Sequence, residues 1–290
     1  MLGIYLSLLG AKISFLLCDK VLPYCIMKTM RNNNIVLNNL KNTMICSSCF
    51  DCGKKTFNST GLDLLTFSNY LNKEDFDYAK RISHQKTIKE ILKYKFDNLN
   101  IGEQVHASTC RYYAASNYTN EKNYQDVVRG YFYSALLTLI SIKKILNKKK
   151  IDTIIVNHGF YIPQGIISEY ARLNSIDFVT WTSGTRKNTF YFTRNNIYYK
   201  DLVNENINNW KNIQIKEHEK KIDKYLNSKV IGLQDYNYFK NKTTFNVNSY
   251  LKKRGLNLSK PVVSLATNVI WDAQLHYDDT IFDNMMDWVI

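Results

Sequence analysis

Between Asp152 and Trp181 the chain reads as strand, turn, helix and strand, spaced as one parallel crossover. Asp152 to Val156 is a β-rich apolar run and Asn157 to Gly165 a turn. Ile166 to Leu173 is helical, and Phe178 to Trp181 is the next run of strand formers. Two parallel strands cannot be closed by a hairpin and need a crossover, usually a helix, between them. This segment therefore predicts an α/β fold: a Rossmann-like parallel sheet with flanking helices.

Other segments fit the same scheme. Residues 2–9 read as the end of a helix stopped by Gly10, and Ala11 to Cys18 as a strand, which together make half of a βα unit. The strand that should precede that helix is not in the sequence, so the chain reads as starting late. Residues 27–75 read as irregular and polar, with an apolar patch from Leu62 to Leu71. Residues 76–98 read as one helix carried by Ile82, Ile88, Ile91, Leu92 and Tyr94, and about 123–147 as a helix buried against a sheet. Asn204 to Lys229 is a charged helical region, and Lys252 to Lys260 a basic linker. Pro261 to Thr267 reads as a buried strand opening a second unit that stops at Ile290.

The polar stretches fall after the strands. Cys18-Asp19 follows the first, Asn157-His158-Gly159 the second, Thr182 to Lys187 the third and Asn268 to Asp272 the last. Ligands of open α/β sheets bind outside the carboxyl ends of the strands. The sequence thus predicts one shared polar rim holding Asp19, His158, Arg186 and Asp272.

Composition narrows the partners. The net charge of +14 suits nucleic acid, a membrane face or a polyanionic substrate. The basic residues are dispersed except at Lys143, Lys144, Lys148, Lys149 and Lys150, which follow the apolar helical stretch Tyr131 to Ile142. Cations there complement a helix dipole, and contact with anionic lipid is the alternative. No recognition helix or base-stacking arrangement marks a nucleic-acid binder. No stretch reaches the about 18 apolar residues that cross a bilayer, and Met1 to Cys18 lacks the basic start of a signal peptide. The expectation is a cytoplasmic protein, peripheral to the membrane at most. Its cysteines are then thiols or metal ligands. Cys46-x-x-Cys49-x-x-Cys52 has the spacing of a metal knuckle, but no second CxxC completes it. The reading is no cofactor, with zinc on Cys46, Cys49 and Cys52 as the alternative.

Several stretches carry chemistry. In His158-Gly159, glycine lets the backbone approach a ligand and histidine can act as general base near neutral pH, or merely hydrogen-bond a neighbouring loop. Arg186-Lys187 suits a cationic clamp for phosphate or an acidic sugar, or a solvated turn. Asn268 to Asp272 follows a strand and precedes a helix, which suits a diphosphate, although the usual glycines are missing. His106 to Tyr113 mixes His, Ser, Cys and Arg; Arg111 as an anion contact is a better reading than a Cys–His nucleophile.

Taken together these stretches resemble capsule polysaccharide biosynthesis proteins. The resemblance rests on Phe15-Leu16-Leu17-Cys18-Asp19-Lys20-Val21-Leu22-Pro23, Cys46-x-x-Cys49, and His158-Gly159-x-Tyr161-x-Pro163-Gln164-Gly165. It continues through Trp181 with Arg186-Lys187-x-Thr189-Phe190, and Asn268-Val269-Ile270-Trp271-Asp272-Ala273-Gln274, in the family's order. It implies the GT-B arrangement of two facing Rossmann-like domains, here an acceptor-side domain over 1–255 and the beginning of a donor-side domain over 256–290. It implies transfer of a sugar from a nucleotide-sugar to a growing glycan or lipid-linked acceptor, without a metal. His158 would be the catalytic base. Gly159, Tyr161, Gln164, Arg186, Lys187, Arg111 and Asp19 would contact substrate, and Asn268, Trp271 and Asp272 the donor. The chain departs from the family after Phe192, where Thr193 to Tyr199 replaces a turn containing His, Gly and Asp, and in the extra Cys52. Two other readings fit the same rim: a sugar-nucleotide epimerase of the same shape, and a non-catalytic binding module. Residues 1–290 alone are expected to show little transferase activity.

Overall fold

The computed structural model describes residues 2–27, 39–186, 188–197, 208–211, 215–231, 246–257 and 259–261. The chain opens with helix α1 (Leu2–Leu8). Gly10 ends it in the left-handed region, φ 93°, while the Ala11 N–H donates to Leu6 and the Gly10 N–H to Ser7. Glycine reaches that conformation without a Cβ clash, which is why the helix stops there. Strand β1 (Ser14–Leu17) follows within the expected run.

The expectation of an irregular segment over 27–75 is wrong. Helix α2 (Asn39–Asn58) and strand β2 (Asp63–Thr66) occupy about half of it, and residues 28–38 lie outside the described residues. β2 lies parallel to β1, Ser14 opposite Asp63 through Leu17 opposite Thr66. The apolar periodicity of α2 is weak; its position is set by packing on β1. Phe57 stacks on Phe15 with centroids 4.5 Å apart, and a Cβ on Gly53 would come within 2.9 Å of the Leu17 side chain. Tertiary contact overrides weak local preference here.

The helix expected over 76–98 is two. Helix α3 (Lys73–Gln85) starts at a capping box of Asn72 and Asp75, and helix α4 (Ile88–Leu92) at one of Thr87 and Glu90. Thr-x-x-Glu is a start signal, so the break at Lys86 is local in origin. Helix α5 (Ile101–Tyr113) was not anticipated. Helix α6 (Tyr124–Lys148) is buried as expected, but it packs among helices where a sheet was expected against it. Its Tyr131, Phe132, Ala135 and Leu137 are fully buried, and α3, α4 and α5 pack around it. Arg129 of α6 donates to the carbonyls of Ser83 and Lys86, closing the end of α3.

Strand β3 (Thr153–Asn157), helix α7 (Gln164–Leu173) and strand β4 (Asp177–Ser183) form the crossover that the sequence predicts. The strands are parallel, Thr153 opposite Asp177 through Asn157 opposite Trp181. Val156, Phe178, Thr180 and Thr182 face inward and are buried. The parallel pattern then ends. Strand β5 (Phe190–Arg194) returns antiparallel on β4, giving the order β3-β4-β5, and β1-β2 form a separate two-stranded sheet. The fold is α/β, with two small sheets where one continuous parallel sheet was expected among these strands. Val156 and Ile166 share a core with Phe67 and Leu22, so both sheets border one interior.

Helices α8 (Asn208–Lys211), α9 (Ile215–Ile231) and α10 (Val247–Lys253) lie in the later part of the chain. The expected charged helical region corresponds to α8 and α9, and the start of the expected linker is the end of α10. The strand expected over 261–267 and nearly all of the proposed second domain lie outside the described residues. Among the described residues no helix is long and apolar enough to cross a membrane.

Gly102 in α5 sets how closely α5 approaches α4: a Cβ there would overlap the carbonyls of Leu92 and Ile91. Replacing glycine by alanine inside a helix ordinarily stabilises by up to about 1 kcal/mol. Here the sign should reverse. Gly102→Ala should lower stability by about 1–3 kcal/mol, as overpacking does, measured by urea denaturation; a stabilised variant would contradict the packing described.

Candidate functional site

The loop after β3 carries the densest set of backbone constraints in the described chain. His158, Gly159 and Tyr161 have φ values of 60°, 80° and 63°, and the Ile162–Pro163 bond is cis. A non-glycine residue in the left-handed region costs about 1 kcal/mol or more, and persists where its surroundings over-determine it. Those surroundings are specific. The His158 N–H and the Asn157 Nδ2 both donate to the Trp181 carbonyl at 2.9 and 3.0 Å, pinning the loop's start to β4. Ser168 Oγ of α7 donates to the Gly159 carbonyl at 2.6 Å. The Ile26 N–H, beyond β1, donates to the Ile162 carbonyl at 3.1 Å.

Helix α5 supplies the rest from one face. Gln104, Ser108 and Arg111 follow at intervals of four and three, hence on one side of the helix. The Tyr161 N–H donates to Gln104 Oε1 and the Ile162 N–H to Ser108 Oγ, both at 3.1 Å. Arg111 lies over the Tyr161 ring, 4.8 Å from its centroid, and its Nη1 donates to the Tyr161 hydroxyl at 3.3 Å. Tyr161 is 1% exposed, so its ring shapes the loop from within. Gly165 is small for the same reason: a Cβ there would overlap the Gln104 carboxamide. Gln164, the first residue of α7, has its Oε1 enclosed with no hydrogen-bond partner among the described residues.

The sequence-predicted residues divide by place. His158, Gly159, Tyr161, Gln164 and Arg111 come together at this loop. Because β3 and β4 are parallel, Arg186 follows the same edge, but in a tight β4–β5 hairpin. The Gly184 N–H donates to the Thr189 carbonyl and Thr189 Oγ1 to the Arg186 carbonyl. The Arg186 guanidinium sits over the Tyr225 ring of α9 at 5.6 Å. Asp19 stands at the carboxyl end of the other sheet, where it accepts the Ser68 N–H at 3.1 Å. The single continuous rim expected from successive parallel strands is therefore corrected to the β3–β4 edge, with Asp19 on the neighbouring sheet. Lys187, Asn268, Trp271 and Asp272 lie outside the described residues.

Other candidates resolve differently. Cys46, Cys49 and Cys52 lie on α2 and are free thiols, and among the described residues no three His, Cys, Asp or Glu side chains are grouped to hold a metal. His106 and Cys110 share a face of α5, the sulfur 3.8 Å from Nε2. Burial pushes the Cys110 thiol up to about 12 and holds the His106 imidazole below its ordinary value. A thiol so raised is no nucleophile at neutral pH. His106 instead shares a 2.7 Å hydrogen bond with the Tyr118 hydroxyl. The lysine run is largely engaged internally. Lys144 pairs with Asp75 at 2.5 Å and Lys149 with Asp63 at 2.7 Å, while Lys143 and Lys148 sit over the rings of Phe96 and Tyr70.

Sequence reasoning missed Gln104, Ser108 and Ser168, the three side chains that fix the loop. The signal was present for the first two: polar residues four apart beside Ile101 and Val105, in a run without proline and with Gly102 only at its start. No family model, curated protein or solved structure matches this chain.

Gly159 tests the loop. Its φ of 80° disfavours any side chain, and a Cβ would approach Thr180 Cγ2 within 2.5 Å. Gly159→Ala should cost about 2–4 kcal/mol, the left-handed penalty plus overpacking. Adding Thr180→Ser, which removes that methyl and keeps the hydroxyl, should recover part of the loss in thermal melts. No recovery would contradict the contact. Thiol reactivity tests the cysteines. At pH 8 iodoacetamide should modify exposed Cys52 in the native protein and spare Cys110 until denaturation, read by mass spectrometry; equal rates would contradict the burial of Cys110.

Proposed function

We propose that this chain is the acceptor-side part of a glycosyltransferase of GT-B type, acting in assembly of a capsule or other surface polysaccharide. The motif resemblance suggests the chemistry, and one observation carries it to the fold. The His158-to-Gly165 stretch, one of the five that carry the resemblance, is the strained loop at the carboxyl edge of the parallel pair β3–β4. That edge is where open α/β sheets bind ligands. Backbone strain held by buried side chains is the kind of feature that persists at binding and catalytic sites.

In this reading a sugar hydroxyl of the glycan or lipid-linked acceptor sits beside His158. The imidazole takes the hydroxyl proton as the oxygen bonds to the anomeric carbon of the donor. The bond from that carbon to the nucleoside diphosphate breaks, and the diphosphate leaves with the electron pair. Arg186 supplies positive charge on the same edge. Donor contacts fall to the segment beginning at Asn268.

The test is donor turnover by the full-length product of the reading frame. Nucleoside diphosphate release is followed from nucleotide-sugars mixed with a membrane glycolipid extract. His158→Asn removes the base while tolerating a positive φ. It should lower the rate by about 100-fold or more, the usual worth of general base catalysis. Release at the wild-type rate by His158→Asn, or none by the wild type, would contradict the proposal.

A further inference from the structure

The sheet β3-β4-β5 has an inner face in the core and an outer face with a different composition. Register puts Ile155, Val179, Trp181, Phe190 and Phe192 on the outer face, Trp181 directly opposite Phe192 and Ser183 opposite Phe190. Phe190 and Phe192 are 56% and 54% exposed, and Ile155 is 41% exposed. The three rings form a continuous series. The centroids of Trp181 and Phe190 are 5.9 Å apart, and those of Phe190 and Phe192 are 6.4 Å apart. Polar groups close both ends of this face. Asn157 and Ser183 lie at the carboxyl edge of β3 and β4; Thr153 and the paired Asp177 and Arg194 lie at the other end.

We infer that this outer face binds the glycan chain of the acceptor, with pyranose rings resting on Trp181, Phe190 and Phe192. The inference rests on the sugar-transfer reading and extends it to the acceptor's subsite. Chemistry, size and continuity select this occupant. The first is chemical: the C–H face of a sugar ring is weakly apolar and electropositive and complements the negative face of an aromatic ring, while its hydroxyls need polar groups at the margins. The second is size. Three strands of about five residues span roughly 250 Å², well below the about 800 Å² per partner of a stable protein interface. That area suits a narrow linear ligand better than a second copy or another protein. The third is continuity. The Trp181 ring belongs to the platform, and the Trp181 carbonyl receives the His158 N–H and the Asn157 amide. A chain lying on the rings therefore leads to the strained loop.

The experiment is saturation-transfer NMR on the 290-residue chain with neutral tetrasaccharides of glucose, galactose or N-acetylglucosamine. At least one should receive saturation on its ring protons. Phe190→Ala and Phe192→Ala are exposed changes on an edge strand, and each should weaken binding by about two- to tenfold. Phe190→Leu keeps apolar bulk without a ring and should weaken it as well, whereas Phe192→Tyr should not. Thermal melts accompany each variant, and the Phe192→Tyr comparison serves if an alanine variant unfolds. Three results overturn the inference: no tetrasaccharide bound at millimolar concentration, binding untouched by loss of either ring, or a dimer in light scattering that the ring variants dissociate. The last would assign the face to a second copy. Glycan binding without donor turnover leaves this surface standing and removes the transfer reading; turnover without glycan binding does the reverse.

Discussion

Two buried backbone N–H groups, those of Tyr161 and Ile162, organise this part of the molecule. They belong to a loop whose dihedral angles prevent ladder pairing, and an unpaired buried N–H costs about 1–3 kcal/mol. Gln104 and Ser108 of α5 accept them. Once that is required, several neighbouring features follow. Gly165 must be small to admit the Gln104 carboxamide, and Gly102 lets α5 lie close against α4. Arg111 completes the helix face by holding the Tyr161 ring. The strained loop is thus supported by a helix more than 50 residues earlier in the chain, and through the Trp181 carbonyl by the next strand.

The basic run at the end of α6 has an equally local setting. The lysines at the end of α6 are drawn to Asp75, Asp63 and two aromatic rings, so the densest basic run is partly a set of internal ties between α6 and the β2–α3 region. Asp63 shows the same effect from the acidic side. The Lys149 and Ser14 hydrogen bonds hold its carboxyl below the usual aspartate range. These pairs are partly exposed, and solvent limits their worth.

The crossover β3–α7–β4 was legible because its signals are local: apolar runs of strand length around a helical stretch, with a polar turn between. The end of α1 at Gly10 was legible for the same reason. Helix α2 was not, because Cys, Ser, Asn and Lys give it little periodicity and Phe15 and Leu17 fix it from outside. Helix α5 was not, because beside Ile101 and Val105 its buried face is made of Gly102, Gln104, Ala107, Ser108, Thr109 and Cys110, most of which read as polar or neutral. The reversal at β5 turns on the hairpin from Gly184 to Thr189, which lacks the Asn-Gly type of turn that marks hairpins most strongly. Of the site, His158, Gly159, Tyr161, Gln164 and Arg111 were named from sequence. The function first given to Gly159, room for a ligand, is filled by Thr180.

Amide hydrogen exchange resolved to single residues tests the central claim most directly. If α5 holds the loop, the Tyr161 and Ile162 amides exchange as slowly as those in the middle of α6, although they lie in no helix or strand. Exchange at the rate of solvent-exposed loop amides would contradict the account, since the two side-chain acceptors would then not be holding the loop.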